Sequence, residues 1–219
     1  MPLDPKRPIT YLITSGQTTP RTTSNSDEFV NILQLVQTAV EAELSLVQIR
    51  EKALTTRVLY ELVVQCVALT RGTRTKLMVN DRVDVALTAA ADGVHLTSES
   101  MPAAIVRQLC STEFLIGAST HSSVAARIAR EGGADFVLFG PIFETESKRE
   151  FGPPQGLERL RHVSSELKTF PVIAIGGVTV ANSAECFRAG ASGVAAIRLF
   201  NDTRELSEKV TAIWDAFSM

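Results

Sequence analysis

PVIAIGGVTVANSAECFRAGASGVAAI, residues 171–197, holds one complete unit of the fold. Val172–Ile175 is a short apolar run that reads as a strand, and Gly176-Gly177 ends it. Val180–Ala189 reads as a helix, Gly190 as the left-handed residue that stops it, and Val194–Ile197 as the next strand. Apolar strands separated by helices imply a parallel sheet covered on both faces.

The same rhythm runs along nearly the whole chain. Further strands are expected at Ile9–Thr14, Leu46–Arg50, Lys76–Asn80, Gly93–Leu96, Phe114–Ala118 and Phe136–Phe139. Further helices are expected at Asp27–Glu43, Thr56–Arg71, Arg82–Ala90, Pro102–Cys110, Ser122–Glu131, Leu157–Leu167 and Thr203–Phe217. In the first of these, Phe29, Ile32, Leu33, Val36 and Val40 recur at helical spacing. Pro102 suits a first helical turn, and Gly132-Gly133 suits a helix end. Eight such units favour a closed (β/α)8 TIM barrel, with a doubly wound open sheet as the alternative. No composition shift marks a second domain, so residues 1–219 are read as one barrel domain with residues 1–8 an extended tail. The threonine- and serine-rich residues 15–26 are read as a flexible loop or lid after the first strand.

Composition narrows the function. Lys plus Arg (22) nearly balance Asp plus Glu (24), which leaves no basic field for nucleic acid. No apolar run reaches membrane-span length, and residues 1–8 lack a signal peptide's apolar stretch. Cys66, Cys110 and Cys186 are odd in number and widely spaced, so they read as buried small hydrophobes in a reducing cytoplasm.

In a barrel, active groups belong at the carboxyl ends of strands. Gln48, Arg50 and Lys52 alternate along the end of the second strand and so face one side, a grip for phosphate or pyrophosphate. Asn80-Asp81 ends the third strand; it reads as an oxygen and Mg²⁺ binder or as an ordinary helix cap. His95 on the fourth strand reads as a structural histidine ahead of an acid or base. Ser119, Thr120 and His121 end the fifth, with His121 a candidate helix cap. Thr145, Ser147 and Lys148 lie in a long polar loop after the sixth strand. Gly177 and the Ile197-Arg198 backbone fall where barrels commonly hold phosphate, in the last two loops.

VQIREK (47–52), NDRVDVAL (80–87), ADGVHL (91–96), IGASTHS (116–122), FGPIFET (139–145) followed by Ser147-Lys148, QGLERL (155–160), PVIAIGG (171–177) and AGASGVAAI (189–197) together resemble the thiamine phosphate synthase family. The resemblance implies a transferase that joins hydroxymethylpyrimidine pyrophosphate to thiazole phosphate, through a pyrimidine methyl cation, with release of pyrophosphate. It implies that Gln48, Arg50 and Lys52, helped by Asn80 and Lys148, hold the pyrophosphate. Arg50, Lys52 and Lys148 would be its catalytic cations. Asp81 would ligate a Mg²⁺ cofactor, and Ser119 would lie near the pyrimidine. Thr145, Ser147, Gly177 and the backbone at Ile197-Arg198 would cradle the thiazole phosphate. The implied partners are two small phosphorylated substrates, with no nucleic acid and no membrane; a homo-oligomer is left open.

Three positions depart from the family pattern. Ser100 stands where a second metal carboxylate is usual, with Glu99 one residue earlier. Ser147 replaces a threonine, and Arg198 replaces a serine, either adding charge to the phosphate cup or blocking it. The missing carboxylate keeps two alternatives open: the related thiazole tautomerase, and a catalytically weak relative that binds thiamine precursors. Against the tautomerase, Pro141 stands where that enzyme carries its histidine.

Overall fold

The computed structural model describes residues 7–144 and 153–218. Eight parallel strands, β1 (Ile9–Ile13), β2 (Leu46–Ile49), β3 (Lys76–Asn80), β4 (Gly93–Leu96), β5 (Leu115–Thr120), β6 (Phe136–Phe139), β7 (Val172–Ile175) and β8 (Gly193–Ala196), pair in sequence order. Tyr11 is in register with Leu46 of β2 and with Ala195 of β8, which closes the barrel and excludes the open sheet. The helices are α1 (Asp27–Glu41), α2 (Thr56–Thr70), α3 (Val83–Thr88), α4 (Ala103–Leu109), α5 (Ser123–Glu131), α6 (Gly156–Leu167), α7 (Val180–Arg188), α8 (Arg198–Asn201) and α9 (Leu206–Ser218).

Strand alternation makes two cores. Leu12, Val47, Val79, Val94, Ile116, Val137, Ala174 and Val194 point outward and pack under the helices. Tyr11, Leu46, Met78, Leu115, Phe136, Leu138, Ile173 and Ala195 point inward and fill the barrel. Both faces are dry, so the strands read as continuous apolar runs.

The even-numbered strands share one approach. Glu43, Ala90, Gly133 and Gly190 follow α1, α3, α5 and α7 with φ of 53°, 57°, 84° and 91°. The next residue, Leu44, Ala91, Ala134 or Ala191, is buried and donates its N–H back into the helix at 2.9–3.0 Å. A polar residue then precedes the strand. Ser45, Asp92 and Asp135 accept backbone N–H groups of the preceding strands from Thr10, Leu77 and Ile116 at 3.2, 2.9 and 2.7 Å.

Several local expectations shift. β5 begins one residue later than expected and runs on through Thr120, so Ser119 lies within it. Pro102 occupies the position before α4 rather than its first turn. The expected last helix is split into a 3-10 turn at Thr203–Glu205 and α9, and α8 was not foreseen. The loop at residues 15–26 is tied down: Thr18 and Thr22 are buried, and Thr19, Thr22, Thr23 and Ser26 bond one another. Of the expected tail, residues 1–6 lie outside the described residues. Pro8 is buried, and Arg7 stacks 4.7 Å from the Trp214 ring centroid while pairing with Glu43 at 2.8 Å. Cys66 and Cys186 are buried free thiols, the latter pushed to about 12 chiefly by burial, whereas Cys110 is half-exposed.

Candidate active site

A cavity of about 1130 Å³ opens at the carboxyl ends of the strands. Its floor is a polar belt laid across four adjacent strands, above the apolar filling of the barrel. Gln48 Nε2 of β2 donates to Asn80 Oδ1 of β3 at 3.0 Å, and Asn80 is in register with His95 of β4. His95 Nε2 lies 2.9 Å from Ser119 Oγ of β5. The belt needs Gly117: a Cβ there would sit 2.7 Å from His95 Nδ1. Burial holds the His95 pKa down to about 3, so the ring is neutral. Among the described residues Gln48 Oε1 and His95 Nδ1 are buried without a hydrogen-bond partner.

Arg50 and Lys52, which follow β2, form one wall. Gly176 and Gly177, which follow β7, also line the cavity. Gly177 has φ 66°, and a Cβ on it would meet Phe143 Cβ at 2.7 Å and Glu144 O at 2.9 Å. Phe143 N–H donates to Gly176 O at 2.9 Å, so the segment after β6 lies directly on the glycine pair. α7 starts beside them with a capping box, in which Thr179 accepts the Asn182 N–H at 3.3 Å and Asn182 accepts the Thr179 N–H at 2.7 Å.

Eight residues expected from sequence meet at this cavity: Gln48, Arg50, Lys52, Asn80, Ser119, Gly177, Ile197 and Arg198. Two others do not line it. Asp81 is exposed next to Asn80, at φ 63°, with its N–H on His95 O at 2.9 Å. It therefore does not act as a side-chain cap; Arg82 precedes α3 instead. Ser100 Oγ is engaged in its own turn, accepting the Thr97 N–H at 2.8 Å, and Glu99 is the acid of that loop that reaches the cavity. Thr145, Ser147 and Lys148 lie outside the described residues.

The cavity also includes groups that sequence reasoning did not single out, Thr97, Glu144, Thr179 and Lys209. They come from four separate loops or helices and share no local motif. His121 lines the cavity and approaches Gly140 O, while Ser122 caps α5 by accepting the Ala125 N–H at 3.1 Å.

Fold and site together define a (β/α)8 protein with cationic side chains and a glycine pair around one cavity at the carboxyl ends of its strands, where barrels commonly hold phosphorylated small molecules. The family described as thiamine monophosphate synthase matches residues 11–200. The thiamine-phosphate synthase of Chloroflexus aurantiacus is 40% identical over 163 residues, 74% of each chain. That of Pelotomaculum thermopropionicum is 37% identical over 181 residues, 83% of each chain. The solved thiamine phosphate pyrophosphorylase from Pyrococcus furiosus superposes with a TM-score of 0.80 at 30% identity, covering 98% of this chain and 97% of that one. The chain belongs to the thiamine monophosphate synthase family.

Proposed function

We propose that this protein joins hydroxymethylpyrimidine pyrophosphate to thiazole phosphate, giving thiamine phosphate and pyrophosphate. The observation that carries the reading is the convergence of Gln48, Arg50, Lys52 and Asn80, from β2 and β3, with Gly177 and Ile197-Arg198, after β7 and β8, on a single cavity. The first group holds the pyrophosphate and the second the thiazole phosphate. The methylene–oxygen bond breaks with its electron pair leaving on pyrophosphate, and the thiazole nitrogen then forms the new bond to carbon. Arg50 and Lys52 stabilise the charge that grows on the leaving group. The cavity aligns nucleophile and electrophile. Ser119, held 2.9 Å from neutral His95 Nε2, is the proposed contact to the pyrimidine.

Mg²⁺ is part of the proposal. It is commonly held through one or two carboxylates plus substrate phosphates. We assign the ion to the Asp81 carboxylate, exposed next to Asn80 though outside the cavity lining, with Glu99 the carboxylate of the following loop that does line it. The bound ion would neutralise part of the pyrophosphate charge. Ser100, already bonded to Thr97, adds no carboxylate, and Arg198 on the cavity wall supplies positive charge to the phosphate end. Asp81→Asn should raise the Mg²⁺ concentration needed for pyrophosphate to bind, read by calorimetry. Thr145, Ser147 and Lys148 take their roles from the family resemblance alone.

Incubating the protein with both precursors and Mg²⁺, then oxidising the product to its fluorescent form, tests the reading. No fluorescent product across a wide metal range rejects it. Cytoplasmic residence belongs to the same proposal and accords with the three free thiols. So does a homo-oligomer, which light scattering would register as a multiple of the monomer mass.

A further inference from the structure

Glu51 lies between the two cations of the grip in sequence, yet it does not line the cavity that Arg50 and Lys52 line. Its side chain is buried, with the residue 4% exposed. Glu51 Oε1 accepts the Gly16 N–H at 3.2 Å, and Oε2 accepts the Thr18 N–H at 3.3 Å and the Thr18 hydroxyl at 2.8 Å. Thr14 extends the attachment. Its N–H donates to Gln48 O at 3.0 Å, and its Oγ1 accepts the Arg50 N–H at 2.9 Å. Residues 14–18 are thereby joined along residues 48–51.

A carboxylate removed from water is tolerated when donors fill its lone pairs, and here both oxygens are engaged by the loop after β1. An amide of the same shape does not substitute. Two of the three contacts are backbone N–H donors on different oxygens, so the NH₂ of glutamine would face one of them. Gly16 has φ 73°, which lets its N–H reach Glu51.

We propose that Glu51 is the positioning residue of the cationic grip: by fixing residues 14–18 to residues 48–51, it holds Arg50 and Lys52 aimed at the pyrophosphate. The proposal rests on the synthase reading for the ligand and on the geometry for the residue. A purely structural role would weaken folding, or both substrates alike. A positioning role is selective for the substrate that the grip holds.

The test uses the full chain with Glu51→Gln and Thr18→Val, inorganic pyrophosphate as the calorimetric probe, and KM values for both substrates. Folded Glu51→Gln should weaken pyrophosphate binding and raise the pyrimidine substrate's KM roughly 10- to 100-fold, leaving the thiazole phosphate KM within about twofold. Thr18→Val keeps the side-chain shape, should shift the same quantities less, and carries the test if Glu51→Gln does not fold. The double variant should lose less than the sum of the two, because both act on one contact. Unchanged pyrophosphate affinity, or equal loss for both substrates, overturns the proposal. Wild-type protein that binds no pyrophosphate overturns it together with the synthase reading, whereas wild-type binding with an unaffected variant overturns this proposal alone.

Discussion

Burial decides the state of His95. The ring is enclosed by the barrel, near Tyr11 and Phe136, and its pKa falls to about 3. An unfolded histidine titrates near about 6.5. Between those values the unfolded chain binds the extra proton, so this group's stabilisation is present above about 6.5 and is lost as pH falls toward about 3. Replacing His95 with glutamine removes that contribution. Urea unfolding between pH 6 and pH 4 should then show an acid-side loss shallower by roughly 1.4 kcal/mol per pH unit. An identical slope in both proteins would mean that His95 is protonated in the fold. Arg50 is a different case, because its charge faces the cavity. Arg50→Ala should lower kcat/KM by roughly 100-fold or more with little change in melting temperature; equal damage to both would make it a structural residue. Gln48, Arg50 and Asn80 were legible because polar groups at strand ends violate the apolar pattern around them. Sequence position offers Glu99 only as a stand-in for Ser100. Its reach into the cavity depends on the Thr97–Ser100 turn, whose geometry no spacing encodes.

Among the elements, the shared approach to the even strands has an uneven composition. Gly133 and Gly190 take the left-handed conformation without a side chain, while Ala90 holds φ 57° with one. A left-handed alanine costs about 1–2 kcal/mol, partly offset by the greater unfolded-state entropy of glycine. Ala90→Gly should therefore stabilise the fold by about 1 kcal/mol, raising the melting temperature by about 2–4 °C. A lower melting temperature would show that the Ala90 methyl makes contacts worth more than the strain. Helices such as α1 and α2 were readable because 15 residues each carry a sustained apolar stripe. α8 has four residues and no period to detect. It is held instead by Asn201 Nδ2, which donates to Ile13 O at 2.8 Å and to Ile197 O at 2.7 Å. The loop at residues 15–26 looked mobile from its serine and threonine content. Its order comes from Glu51, distant in sequence, and from hydroxyl bonds within the loop.

At the scale of the whole molecule, alternation of strands and helices fits both an open sheet and a barrel. The count of eight favoured the barrel, and the pairing of β1 with β8 closes it. Closure brings Gln48, Ser119, Gly177 and Arg198, spread over 151 positions of the chain, to one cavity. That convergence brings to one cavity the cationic strand ends and the glycine-containing loop that the synthase reading assigns to its two phosphorylated substrates. Phosphorus NMR of the protein with both precursors and Mg²⁺ tests it most directly. The synthase account predicts thiamine phosphate and pyrophosphate appearing together in equal amounts, both suppressed in Arg50→Ala. Pyrophosphate released without thiamine phosphate, or neither product from folded wild-type protein, would contradict it.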